Sequence, residues 1–447
     1  MTYINRDSIQ VSAQAAILTF CFMVLSVASL VVITHLPKCF LSFAFMDTFT
    51  ETMIYDAARS YVAHGFSVNA GLPSISAEWI KIHLPGAKLS PGDHLYLHYP
   101  SGPYLLGGMG AALFGIHNAF FLRIIPLGIN AGMLFLFLRG VFSVLPTERQ
   151  RRWFIVCFAV IPIGWAQIYG GAPNHYAHYV LLALIGLLLP ALCADQPPAS
   201  GRLYAAVGLL GFLTGCFALD YFFVTLLAPL AIACLSHGDT IFKKGPLRLL
   251  SLRLCAAVGL GFCIAQFLHL MQIAAYFGSV QAAVTDMRGA ALFRATGDAA
   301  QYHFLTGVEY RQFDPPYDLY AGRIAAMGGI TGRIKLIIDY LTVFTAYDTH
   351  HELLLVAPIV FYLLFAALYV RHLGDGMLKK RFLTTAAVAV TSCLMWIVVM
   401  PSHSAIHPFL IAQHFYLVYI LIVLFMAENV VNRAGTTTQL KHQPAGS

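Results

Sequence analysis

Charge is what this chain has least of. Only 11% of its 447 residues are Asp, Glu, Lys or Arg, and its mean hydropathy is +0.72. An ordinary soluble globule carries roughly a quarter charged residues, so that class is excluded. The nine cysteines form no CxxC pair and no framework spacing, and Cys21, Cys157, Cys216, Cys255, Cys263 and Cys393 lie inside apolar runs. Thiols packed among helices fit that pattern better than disulfides or zinc. No internal repeat is visible, which argues against a transporter assembled from inverted halves. The centres of the apolar runs are also nearly free of acids and bases.

What is present is a succession of apolar segments, several of about 17 to 22 residues, enough to cross a bilayer as helices. The expected spans are 15–33, 103–116, 120–138, 153–170, 179–193, 204–219, 222–235, 249–269, 353–370, 382–400 and 409–427. The fold expected is therefore all-α, a polytopic transmembrane bundle of about 10 to 12 helices. It is read as one domain over 1–430, followed by a flexible cytoplasmic tail over 431–447. The first run is too long for a typical signal core and reads as a retained anchor.

Basic residues cluster at 139–152, 243–253, 371–381 and in the tail. Placing these in the cytoplasm makes the alternating loops external, and accounts for the net charge of +7 without nucleic acid. Asp47, Glu51, His98, His175, Asp220, His303, Arg311, His403 and His407 then fall on one external side. Ionisable groups are costly near hydrocarbon, so their concentration on one face reads as a working site. Eleven spans conflict with two cytoplasmic termini; the short, Gly-rich 103–116 segment is expected to enter the membrane without crossing it.

Two external segments, 34–102 and 270–335, are long enough to carry function. The first holds apolar residues at helical spacing over 50–64, which predicts an amphipathic helix lying on the membrane surface. The second holds another amphipathic helix, then an aromatic run from Tyr302 to Tyr320 that suits either sugar stacking or interfacial anchoring.

Several constellations can carry chemistry. Asp47 and Glu51 stand four apart, on one face if helical, where a carboxylate suits proton abstraction from a hydroxyl. His98-Tyr99-Pro100-Ser101-Gly102-Pro103 leads into a helix whose mouth the prolines hold rigid. His403 and His407 share a spacing that can ligate a divalent metal, hydrogen-bond a phosphate or sugar, or simply make the loop polar. Asp348, His350, His351 and Glu352 lie at a helix start, where capping by Asp348 is the plainer reading. Asn174, His175 and His178 occupy one outer turn and Asp220-Tyr221 another.

The order of these pieces resembles a known family. An acid-bearing segment precedes Ala58-Arg59 and Gly65; Tyr99-Pro100 and Pro103 follow, then Phe114-Gly115, Arg123, and Ala166-Gln167-Ile168-Tyr169. This is similar to membrane glycosyltransferases of the GT-C class, of the protein-mannosyltransferase and aminoarabinose-transferase type, over roughly the first 180 residues. Registering Ala58-Arg59 with the family puts Thr50 where its catalytic aspartate stands, which leaves Glu51 or Asp47 as the base. Ser101 and Gly102 also separate the two prolines of the family's Tyr-Pro-Pro.

The resemblance implies a sugar donor on polyprenyl phosphate and a lipid or glycan acceptor. It implies inverting transfer at the extracytoplasmic face, in a bacterial inner membrane if the source is prokaryotic. Arg59, Arg311, His403 and His407 are the cations expected to meet the leaving phosphate, with Arg123 a weaker choice. His98, Tyr99, Asn174, His175 and Asp220 are expected to line the substrate site. No cofactor is expected with certainty, a divalent metal being one option. The competing readings are a transporter or flippase that uses acids and histidines as a proton relay, and an inactive scaffold related to such enzymes.

Overall fold

A computed structural model of the chain describes residues 6–35, 48–67, 69–74, 95, 97, 99–116, 121–160, 164–193, 200–242, 245–296, 364, 366–371, 376–406 and 408–440. Among these the architecture is all-helical: α1 (Arg6–His35), α2 (Thr48–His64), α3 (Gly102–Phe114), α4 (Phe121–Val144), α5 (Glu148–Val160), α6 (Pro173–Leu192), α7 (Gly201–Phe217), α8 (Phe222–His237), α9 (Pro246–Phe277), α10 (Val280–Thr296), α11 (Gly376–Val399), α12 (Pro401–Ile406) and α13 (Pro408–Leu440). Among the described residues six helical segments are long and apolar enough to cross a membrane: 9–29, 122–144, 173–192, 222–242, 246–277 and 376–399. Two shorter apolar helices, 201–217 and 413–429, accompany them. The chain is thus a multi-pass helical membrane bundle.

Helix α6 is the axis of the bundle. Beyond its first turns it is Leu, Ala, Val, Ile and Gly on every face, and a helix with no polar stripe has to be buried. From Asn174 to Leu192 only Leu187 and Pro190 are not fully buried. Small residues let a neighbouring backbone approach it: a side chain at Gly140 of α4 would meet the Gly186 carbonyl of α6. Gly211 of α7 and Gly261 of α9 make the same kind of close crossing. Helix α1 joins this core through Ala15 and Phe22 and leaves Ile17, Phe20 and Val24 exposed, as lipid-facing side chains should be.

The helix ends follow local chemistry. Thr147 and Gln150 form a reciprocal box at the start of α5: the Thr147 N–H donates to Gln150 Oε1 (3.1 Å) and the Gln150 N–H to Thr147 Oγ1 (3.3 Å). Ser200 caps α7 by accepting from the Leu203 N–H at 3.2 Å. Gly278, at φ 69°, closes α9 in the left-handed region, and the Ser279 N–H returns to the Ala274 carbonyl.

Several expected bounds are revised. The 153–170 span is helix to Val160 and a turn over 164–169, so its second half is not helical as expected. The 249–269 span is in fact a 32-residue helix reaching Phe277, so 270–277 is helix and not loop. Its upper turns pack against Leu72, Leu95 and Leu97. The last helix runs to Leu440 and so includes the first ten residues assigned to the tail. At 13 residues, α3 and α5 reach only about 20 Å each, short of a hydrocarbon core of about 30 Å. For the 103–116 segment that length accords with entry without crossing.

Candidate functional site

The amphipathic helix expected near 50–64 is α2, and its apolar residues Met53, Ile54, Ala57 and Tyr61 pack on α3. The glycines of α3 make this possible: a side chain at Gly107 would strike Ile54, and one at Gly108 would strike Tyr61 and Phe66. Tyr61 then donates to the Gly71 carbonyl at 2.8 Å; burial pushes its phenol well above the usual range, so it stays a protonated donor.

This docking turns Glu51, in the first turn of α2, inward. Its carboxylate is buried and forms a bidentate ion pair with Arg123 of α4: Nη1 bonds Oε1, and Nη2 bonds Oε2 at 2.5 Å. The Arg123 guanidinium lies over the Tyr169 ring, 5.2 Å from its centroid. Asn130, two turns down α4, donates to the Ile168 and Gly170 carbonyls at 3.0 and 3.2 Å, which holds the 164–170 turn beneath that ring. Gly170 in turn leaves room for the His175 imidazole, which any side chain there would displace.

A second polar group joins α6, α8 and α13. Gln413 Oε1 accepts from Asn174 Nδ2 (3.3 Å) and from the Tyr221 hydroxyl (3.1 Å), while its Nε2 donates to Gln167 Oε1 (3.4 Å). Beside it His414 Nε2 and Asp220 Oδ2 share a hydrogen bond at 3.2 Å, both side chains fully buried. Both ring nitrogens of His178 are buried and unpartnered among the described residues.

A third group gathers around the entrance to α3. His403 on α12 receives the Trp396 indole N–H at Nδ1 (3.2 Å), so its Nε2 carries the proton and donates to the Tyr99 hydroxyl (2.8 Å). Arg294 of α10 lies 5.3 Å from the centroid of the Tyr99 ring. Ser101, although at an N-cap position, makes no cap and reaches Gln272 of α9 at 3.4 Å. His269 of α9 bonds the Leu97 carbonyl at 2.8 Å.

All three groups sit at one end of the bundle, where α2, α3, α4, α6, α8 and α13 begin and α9 and α11 end. Of the residues singled out from sequence, Glu51, Tyr99, Asn174, His175, Asp220 and His403 lie there, buried or half-buried. Arg59 is exposed on α2 and has no bond to Glu51 or its neighbours among the described residues. The cation beside the acid is Arg123, ranked low from sequence because it stands next to the ambiguous 103–138 stretch. Gln167 entered only as part of the Ala166-Gln167-Ile168-Tyr169 motif, and Gln413, Trp396 and Arg294 were not picked out at all; a glutamine, tryptophan or arginine at a helix end carries no spacing signal. Asp47, His98, Arg311, His407, the Tyr302–Tyr320 run and the 348–352 cluster lie outside the described residues. Among those described, no three His, Cys, Asp or Glu side chains converge as metal ligands would.

Fold and site together define a class: a multi-pass helical membrane protein with a buried carboxylate–guanidinium pair among polar groups at one end. Comparison with protein families, with curated proteins and with solved structures finds no match.

Proposed function

We propose that the chain is an integral-membrane glycosyltransferase, similar to the GT-C class, that moves a hexose or pentose from polyprenyl phosphate to a lipid or glycan acceptor outside the cytoplasm. The observation that carries this reading is the Glu51–Arg123 pair, a base and an anion-binding group already adjacent in a buried site. In the proposed reaction the acceptor oxygen attacks the anomeric carbon as its proton passes to the carboxylate. The bond from that carbon to the phosphate oxygen breaks with inversion, and polyprenyl phosphate leaves. A guanidinium binds phosphate as well as carboxylate, so an arriving donor would draw Arg123 from Glu51 and free the carboxylate as it engages the leaving group. Tyr99 and His403 offer hydroxyl and imidazole contacts for the sugar.

The test is sugar transfer by the purified chain in proteoliposomes supplied with labelled polyprenyl-phosphate sugar. Glu51→Gln is expected to lower the rate by about 10²-fold or more, the contribution of a positioned general base. Asp47→Asn, assayed separately, shows whether that acid shares the role. Full activity in both variants would remove the proposed base.

A second reading, a proton-coupled transporter or flippase, draws on the buried Asp220–His414 pair with His178 nearby. It predicts solute movement driven by a pH gradient and lost in Asp220→Asn, with Glu51→Gln unaffected.

A further inference from the structure

Opposite the candidate site, about 24 Å further along α4, the bundle carries a groove that the proposed reaction does not use. It lies between α4, α6 and α7, with the start of α1 and the start of α5 also lining it, and has a volume of about 1200 Å³. Its walls are apolar, and two of them, Leu136 and Leu209, are 43% and 57% exposed on the face of helices that otherwise meet lipid. Its mouth is basic. Arg139 lines it, exposed, with no hydrogen bond or ion pair to any described residue. Arg151 lines it too, held in place by the Leu145 carbonyl (2.8 Å) and Gln14 Oε1 (2.9 Å). The hollow beside it adds Arg149 and Arg152, so among the residues lining the two, four guanidiniums stand with one carboxylate, that of Glu148, which already pairs with Arg152 at 3.1 Å. Trp153, 41% exposed in the same hollow, is the residue type that settles at headgroup depth.

An apolar slot on the bundle's outer surface, with an exposed arginine that no described residue engages at its mouth, matches one kind of molecule. We propose that this groove binds an anionic phospholipid of the surrounding membrane, its phosphate on Arg139 and Arg151 and an acyl chain along Leu136, Leu209 and Leu213. Net positive charge at the mouth selects against zwitterionic lipids, and arginine forms the paired hydrogen bonds a phosphodiester accepts. The groove's place at the far end keeps this inference independent of the proposed reaction.

The test is native mass spectrometry of the full chain taken from phosphatidylcholine bilayers with and without phosphatidylglycerol, beside thermal unfolding in the same lipids. The expected result is retained phosphatidylglycerol and a raised unfolding midpoint that phosphatidylcholine alone does not give. Arg139→Gln should weaken retention by about tenfold, the factor expected of one charge-assisted hydrogen bond. Leu209→Trp, a substitution at an exposed site that fills the slot, should weaken it as well, while Lys379→Gln on another surface at the same end should not. Equal retention by Arg139→Gln and the unaltered chain would overturn the proposal. So would equal loss with Lys379→Gln, which marks general surface charge, or stabilisation by inorganic phosphate alone.

Discussion

The Glu51–Arg123 pair shows what one contact does in this chain and how little of it a linear reading reveals. Glu51 was legible because an acid at the start of an amphipathic helix is conspicuous in so apolar a chain. Its partner stands 72 residues away and shares no local pattern with it. Removing one member of a buried ion pair leaves the other charged and desolvated, so Arg123→Ala is expected to destabilise by about 3 to 5 kcal/mol. Converting both residues to similar-sized neutral side chains, Glu51→Gln with Arg123→Met, should recover most of that loss, since no uncompensated charge remains. Thermal unfolding in one detergent decides the matter; an Arg123→Ala chain as stable as the original would mean that the pair is not desolvated as described. The same logic applies to Gln413, whose amide links three elements yet looks in sequence like any polar residue near a helix start.

At the scale of elements, apolar periodicity located α2 to within two residues of its first turn and α8 to within two of its last. It failed where a helix stops for a reason other than hydropathy, at the left-handed Gly278 after α9. How helices cross depends on small residues whose partners lie elsewhere in the chain. Gly186 and Gly128 look alike in sequence, but a side chain at Gly186 would meet the Leu136 carbonyl and the Phe137 backbone, whereas one at Gly128 meets nothing within 4 Å. Backbone atoms cannot step aside as a side-chain tip can. Gly186→Ala is therefore expected to cost about 1 to 3 kcal/mol, and Gly128→Ala to gain up to about 1 kcal/mol from helix propensity. Paired melting curves check this, and two variants of equal stability would contradict the close approach of α4 and α6.

For the whole molecule, the claim is that Arg59 and Arg149 lie at opposite ends of a bundle and hence on opposite sides of a membrane. A single cysteine introduced at Arg59 in a cysteine-free background should react with an impermeant thiol reagent from one side of sealed vesicles, and one at Arg149 only from the other. Labelling of both from the same side would defeat the topology, and with it the assignment of Glu51 to the external face.

The sequence by itself determined the solvent and the class of fold. A chain with so few charges and so many apolar runs has to satisfy its backbone within helices and hide them in lipid, whatever their arrangement. It also determined that polar residues gather near helix ends, because hydrocarbon excludes them from the spans between. Only the tertiary structure decided which of those residues meet. Pairing across a bundle depends on helix rotation and on how closely small residues let backbones approach, and neither leaves a periodic trace along the chain.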